Sequence, residues 1–583
     1  MTLTRTWCVF EVYVAIETNA RFEVAMGKAQ KAAFLADSAA PNDIFFASLM
    51  KINCAKSIAA VPSDRDHIFE LIEKGPGFAQ VDRLVFQVLE AWVGRMVDKQ
   101  FHIAATREER VMWRLTHVSP MMEKPKSEGA EPALVDIIAM PKQDEDLGPY
   151  HWQAVASLAL VRLRRKHPRM EWEPLFVDAL IHLEALLGRE DVYVLETRLS
   201  FAEGMFESQE YIRGMALLYE CFDSAHGQWG DDHAMTIRVM GDIGIRLCNG
   251  LGRLVEAATW LERANDASTR LYSNMEGHHT MLVRYLTTCY IRQGRFAQAT
   301  AIARSIYDQE RRTRGPDNHF THSARRLMCL CLRNQGCYDN VDTDVRTCIE
   351  YYESVDDEYQ VVQCRKILGD FYLATGEFAR ARVELDGLLG KYQKYVGSTS
   401  STMRSVLYSC LLLEAFNNVV PASMEILSGL ENDVINSGIS SETWLDFECH
   451  GCYEPIQGWL HLCPDCPRNS LRVCHACVQT NKAKSLCSHD PTPRDWIRVS
   501  PPMRFLQEQQ LALLAKSKDW VTYALVHQAY KDYCNQHEVP VEELVDDLAP
   551  KIALFGSCRL GFVWAAGAAS VCLVTLGLWR TRR

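Results

Sequence analysis

Between residues 209 and 395 one short pattern recurs at nearly constant spacing. Its clearest copies are Gly252-Arg253-Leu254-Val255-Glu256-Ala257, Gly294-Arg295-Phe296-Ala297-Gln298-Ala299, Gly336-Cys337-Tyr338-Asp339-Asn340-Val341 and Gly376-Glu377-Phe378-Ala379-Arg380-Ala381. The leading glycines stand 42, 42 and 40 residues apart, and a weaker copy, Gln209-Glu210-Tyr211, lies 43 residues before the first. A fixed period in the range of about 20–50 residues is the mark of a solenoid. In each copy the glycine ends one helix, the apolar or aromatic residue two positions on begins to bury, and a small residue three further on lets two helices approach. Leu282, Leu286 and Cys289 before Gly294, and Ala299, Ile302, Ala303 and Ile306 after it, mark one face of two successive helices. One such hairpin cannot cover its own apolar face; a stack of them can.

The array resembles tetratricopeptide repeats in the longer form of kinesin light chains. The links Gly230-Asp231-Asp232-His233-Ala234-Met235-Thr236 and Gly315-Pro316-Asp317-Asn318-His319-Phe320-Thr321 are similar to that family's Gly-x-Asp-His-x-x-Thr connector. Glu276-Gly277-His278-His279-Thr280 and Asp356-Asp357 are more distant versions. The resemblance implies a concave groove that holds a peptide or a partner helix. Trp152–Leu187 has helical spacing and forms the lead-in, while Thr402–Leu430 reads as a last, irregular hairpin, so the array is expected over 150–430.

The strongest chemical signal lies in 445–500. Four phased pairs, Cys449-x2-Cys452, Cys463-x2-Cys466, Cys474-x2-Cys477 and Cys487-x-His489, offer eight ligands, enough for two tetrahedral Zn2+ ions. A Cys-x2-Cys knuckle brings both thiolates to one metal from a tight turn. With few large apolar residues in the segment, metal ligation is expected to supply most of its folding free energy. No ligand position is left open for water, so a structural rather than catalytic role is expected. Spacing alone leaves both sequential and interleaved pairing open. The pattern resembles the ZZ-type zinc finger, with Glu454-Pro455-Ile456-Gln457-Gly458-Trp459 between the first two pairs. That resemblance implies that Cys449, Cys452, Cys474 and Cys477 hold one zinc and that Cys463, Cys466, Cys487 and His489 hold the other. The spacer Pro467–Val473 is longer than in ZZ fingers and has no acidic residue, and the last pair is Cys-x-His where two histidines are usual. His450, His461 and His475 fall outside the phased pairs and are read as non-ligands.

Thr6-Trp7-Cys8-Val9-Phe10-Glu11-Val12 resembles the Trp-Cys-x-x-Glu signature of Toll/interleukin-receptor (TIR)-like domains and a segment found upstream of kinesin-light-chain-like repeats. The resemblance would assign Glu11 a role at the ribose of NAD. Residues 1–118 are accordingly expected as a partial α/β or helical segment. Residues 119–149, rich in Pro, Lys, Glu, Asp and Gly, read as a linker, and 503–550 as helical.

Leu560–Trp579 holds twenty uncharged residues between Arg559 and Arg580. As a helix it would span roughly 30 Å, the thickness of a bilayer core, with Trp579 at the interface. A tail anchor with the bulk of the chain cytosolic is expected, on a mitochondrial or peroxisomal surface. The net charge of −11 argues against nucleic acid as a partner, since phosphate binding wants a basic face. Without a basic-then-apolar leader, the 21 cysteines read as thiols of a reducing compartment.

The whole reads as a mainly α protein: a tetratricopeptide-like solenoid, a zinc-stabilised module, a partial N-terminal segment and a C-terminal transmembrane helix. Its expected function is that of a non-enzymatic, membrane-tethered scaffold binding proteins or peptides in the repeat groove and at the zinc finger. Two enzymes stand as rivals, a RING-like ubiquitin-transfer component and a TIR-like NAD-cleaving enzyme using Glu11. No serine triad, phosphate-binding Gly-x4-Gly-Lys loop or His-Glu-x-x-His helix is present in the sequence.

Overall fold

The structure, a computed structural model, describes residues 6–18, 54, 57, 59, 61–75, 77–122, 129–141, 147–271, 280–417, 423–489 and 491–549. The chain opens with α1 (Thr6–Glu17), α2 (Pro62–Lys74), α3 (Phe78–Ile103) and α4 (Arg107–Met122). Val12, Ile68, Val85, Trp92 and Trp113 are buried together between them. Every described element before residue 123 is a helix, so the strands expected in 1–118 are not found among the described residues. The reason lies in spacing: Val81, Val85, Trp92 and Val93 sit on one stripe of α3.

The stretch 119–149 is more than a linker. It contains α5 (Ala130–Ile138), whose Leu134 and Ile137 are buried against Val111, Val118 and Leu158. Apolar burial at two successive turns outweighs the charge of the flanks.

The array follows as helix pairs. They are α6 (Pro149–Arg164) with α7 (Arg169–Leu187), α8 (Val192–Glu207) with α9 (Tyr211–Trp229), and α10 (Ala234–Asn249) with α11 (Leu254–Leu271). Next come α12 (Thr280–Arg292) with α13 (Phe296–Arg314), and α14 (His319–Gln335) with α15 (Val341–Ser354). α16 (Glu358–Thr375) is answered by two shorter helices, α17 (Phe378–Leu385) and α18 (Leu388–Val396), and α19 (Ser401–Phe416) with α20 (Met424–Asn436) closes the stack. The turn inside each of the first six pairs has a residue in the left-handed region just after the first helix: Lys166, Gln209, Gly252, Gly294, Gly336 and Gly376, with φ from 61° to 84°; the fifth turn carries a second one, Asn340, at 61°. The period therefore starts at residue 166, and the lead-in is itself a hairpin in phase. The small residue of each clear copy (Ala257, Ala299, Val341, Ala381) is fully buried where the paired helices meet. The connectors cap the helices that follow them. Asp191 accepts from the Tyr193 N–H and Asn318 from the Phe320 N–H, each at 2.9 Å.

Beyond the array, β1 (Thr443–Glu448) pairs antiparallel with β2 (Pro455–Gln457), and β3 (Leu460–Leu462) with β4 (Ile497–Val499). A short α21 (His475–Gln479) lies between them, and α22 (Pro502–Ser517) with α23 (Trp520–Gln536) forms a final hairpin. One continuous apolar core runs from the array into this strand-containing module, taking in Trp444, Ile456, Leu460 and Val473. The apolar stretch 560–579 lies outside the described residues. Among the described residues no helix is long and apolar enough to cross a membrane.

Candidate metal centre and the groove beside it

The eight phased ligands fall into two groups of four. In one, the sulfurs of Cys449, Cys452, Cys474 and Cys477 all lie within 4.8 Å of one another; in the other, Cys463, Cys466, Cys487 and His489 meet the same limit. The grouping is interleaved, first pair with third and second with fourth. Strand pairing brings this about. The β1–β2 turn holds Cys449 and Cys452, and Cys474 at the start of α21 swings in beside them, its N–H donating to the Cys449 sulfur at 3.2 Å. His461 and Val473 exchange backbone hydrogen bonds at 2.9 and 3.1 Å, which sets the second group one strand away.

The donor geometry suits zinc. A tetrahedral ion with Zn–S of about 2.3 Å needs sulfurs about 3.8 Å apart. Cys452 and Cys474 are 3.9 Å apart, Cys487 and Cys463 3.8 Å, and His489 presents Nδ1 to Cys463 at 3.8 Å and to Cys466 at 3.3 Å. Backbone N–H groups of Gly451 and Cys474 point at the Cys449 sulfur, an arrangement that favours a thiolate. Burial and the neighbouring Cys449 push the Cys477 thiol up to about 12, whereas the hydrogen bond with Cys449 draws the Cys474 thiol down. His450, His461 and His475 belong to neither group. His450 is buried, accepts from the Arg472 N–H at 3.2 Å and meets the Phe296 ring edge-on.

The module is seated on the array along the row of hairpin turns. Taken in chain order, Glu448, His450, Pro467 and Arg468 come up against Gly252, Gly294, Gly336 and Gly376. A Cβ on Gly294 would lie 2.9 Å from the His450 ring, and one on Gly376 3.3 Å from the Arg468 guanidinium. The acid-free spacer makes most of the polar contacts. Arg468 donates to the Ala374 carbonyl at 3.0 Å, and Asn469 donates to Asp370 and to Ser409, each at 3.0 Å. Arg292 pairs with Glu448, and Arg404 with Asp446 at 2.5 Å. Asp370 is fully buried at the centre. Burial alone would raise its carboxyl, but the charges of Lys366 and Arg333, with hydrogen bonds from Lys366 and Ser409, outweigh that and hold it below its ordinary value.

Beside this seam lies a cavity of about 780 Å³, walled by the first helices of five successive pairs, α10, α12, α14, α16 and α19, and by the module. Its lining mixes apolar groups, Tyr285, Leu330, Tyr359 and Ile367, with basic ones, Arg326, Arg333, Lys366 and Arg472. Burial draws the Arg472 guanidinium down to about 10; Glu448 opposes this, while Arg292 and Arg333 add to it. Motif reading missed all these residues. The one available signal was the acid-free spacer Pro467–Val473, which had no local reason. Glu11 sits exposed on α1, and no metal-type cluster or cavity described includes it.

No family model matches the chain, and no curated protein matches it. Among solved structures it is similar to TPR-like repeats from a Podosopora anserina protein of the kinesin light chain kind. The identity is 11%, with 36% of this chain and 99% of that one covered, at a TM-score of 0.34. It is also similar to a Rap protein complexed with competence and sporulation factor, at 13% identity over 57% of this chain and 91% of that one, with the same score of 0.34.

Proposed function

We propose that this chain is a non-enzymatic scaffold that holds a protein segment in the concave face of its helical array. The cavity walled by the first helices of five successive pairs is the observation that carries the reading. Solenoids present such continuous inner surfaces as binding sites. In this reading the two four-ligand groups hold structural zinc, in the manner of a ZZ-type finger, and their job is to fold a module that braces the array. The eight residues already named would be the ligands; bound zinc would supply no chemistry beyond holding thiolates together. The uncharged stretch 560–579 would tether the assembly to a membrane.

Two measurements test this. Elemental analysis of the purified chain should return two zinc ions per molecule, and the Cys463→Ser, Cys487→Ser double variant one. A photo-crosslinking residue placed at Tyr359 should trap protein partners in the source cell that the same residue at exposed Arg189 does not. A metal-free chain, or identical partners at both positions, would end the reading.

A further inference from the structure

Among the described residues, the lining of the cavity carries more cations than acids. Five cationic residues line it, Arg292, Arg326, Arg333, Lys366 and Arg472, against two acidic ones, Asp370 and Asp446. Three of the five are already answered by acids: Arg292 by Glu448, Lys366 by Asp370 at 2.7 Å, and Arg333 in part by Asp370 at 3.4 Å. Asp446 is engaged by Arg404. Among the described residues that leaves Arg326 and Arg472 without a carboxylate in ion-pair range, Arg472 stacking on the Phe447 ring at 4.0 Å. Arg333 is only 4% exposed and also donates to the Asn469 carbonyl at 3.2 Å. The lining therefore keeps a net positive charge, which suits an acidic ligand. The chain as a whole carries −11, which makes a basic hollow a local specialisation.

Building on the scaffold reading, we infer that this cavity binds an acidic peptide segment and that the cysteine-rich module supplies one wall of the site. The peptide class follows from the mixed lining. Tyr285, Leu330, Tyr359 and Ile367 stand among the cations in the same hollow. A small polyanion would leave those apolar groups unused, whereas a segment mixing acidic and apolar side chains uses both. The volume falls in the range of about 300–1,000 Å³ typical of ligand pockets, enough for a few side chains of an extended segment. The shared wall follows from Phe447, Asn469, Ser470 and Arg472, which line the cavity from the module. Arg472 lies two residues before Cys474, so its position is tied to the first four-ligand group.

The test is the anisotropy of a fluorescein-labelled peptide of alternating glutamate and leucine added to the full-length chain. A glutamine-for-glutamate version and pyrophosphate serve as alternative ligands. The acidic peptide should bind at least about tenfold more tightly than the glutamine one and weaken with salt. Arg326→Gln should weaken it about tenfold without lowering the melting temperature, because among the described residues Arg326 makes no ion pair that would be lost. Stripping metal with a chelator should weaken it further by releasing Arg472 and its neighbours. Equal binding of the two peptides, full affinity in Arg326→Gln, or tight pyrophosphate binding with none of the peptide would overturn the inference. Affinity unchanged by the chelator would remove the module from the site. Zinc content read on the same samples keeps the failures apart. Absent metal undoes the scaffold reading, whereas failed peptide binding by a zinc-loaded, helical chain undoes only this one.

Discussion

Six hairpin turns in the array adopt the same left-handed conformation, yet four are glycine and two are lysine and glutamine. Conformation alone cannot explain the split, since Lys166 and Gln209 reach φ of 61° and 62° with full side chains. Cover explains it. Gly252, Gly294, Gly336 and Gly376 lie beneath the cysteine-rich module, whereas Lys166 and Gln209 lie beyond it in the two preceding pairs. The left-handed turn costs a non-glycine residue about 1–2 kcal/mol, which a stacked array can absorb. A Cβ 2.9 Å from the His450 ring cannot be absorbed without a shift there, whereas the end of the Arg468 side chain, 3.3 Å from a Cβ on Gly376, can give way.

The sharpest way to break this comparison is to remove the cover. Metal ligation in small zinc modules is worth on the order of 10 kcal/mol, far more than the module's few strand contacts. A zinc chelator is expected to unfold residues 443–499 while leaving most of the far-UV helical signal. Hydrogen exchange should then rise at the turns around 252, 294, 336 and 376 and stay unchanged at 166 and 209. A uniform rise, or none, would show that the module and the glycine turns are unconnected.

Next in size is Asp370→Ala. It leaves Lys366 and Arg333 buried without their carboxylate and deprives Asn469 and Ser409 of an acceptor. Breaking a buried pair from one side costs about 3–5 kcal/mol. The melting temperature should drop by several degrees, and the module should become open to proteolysis. Asp370→Asn, which keeps acceptor and shape, should lose less.

Gly294→Ala against Gly315→Ala isolates the cover itself. Both glycines have positive φ, 74° and 89°, so both variants carry the same kind of backbone strain. A Cβ at Gly315 meets nothing within 4 Å, while one at Gly294 meets His450. Gly315→Ala is expected to cost about 1–2 kcal/mol and Gly294→Ala about 1–2 kcal/mol more, through overpacking. Equal melting temperatures for the two would refute a steric role for the module.

These cases also show where sequence reading stops. The glycine copies were legible because they repeat, and the eight Cys and His residues that gather in two groups because knuckle spacing is local. The docking was not legible, because Asn469 and Asp370 are 99 residues apart and Arg292 and Glu448 156 apart. The hairpins at Lys166 and Gln209 were muted for the same reason that the others stood out: with no module above them, nothing demanded glycine. In the N-terminal segment, the expectation of strands came from the TIR-like resemblance at residues 6–12, whereas the spacing of Val81, Val85 and Trp92 makes a helix.

The module's other flank answers to pH. Arg504, fully buried, faces Glu442 at 2.9 Å, Glu508 at 3.9 Å and Glu543 at 2.5 Å. Burial is the main cause that raises Glu508 from 4.5 to about 7; Glu442 and Glu543 add to it, while Ser500 and Arg504 oppose it. The folded chain thus binds this proton more tightly than the unfolded chain does. The resulting stability is complete below about pH 4.5 and is lost as pH rises through about 7. A loss of about 2 kcal/mol is expected between those limits, allowing for the coupled carboxylates. Melting temperatures across that window should fall for the native chain and fall less for Glu508→Gln, while hydrogen exchange at the Lys166 and Gln209 turns stays constant.

The smallest effect is the most discriminating. If cover dictates glycine, then adding glycine where there is no cover should only relieve strain. Gln209→Gly removes a side chain from a left-handed position whose N–H donates to the Phe206 carbonyl at 3.0 Å, a bond that any residue can make. Relief of the left-handed penalty, set against the greater chain entropy of glycine, nets under about 1 kcal/mol in favour of the variant. A melting temperature equal to or slightly above that of the native chain is therefore expected. A clear loss would mean that the Gln209 side chain is itself held by something, and that the two uncovered turns differ from the four glycines for a reason other than the module.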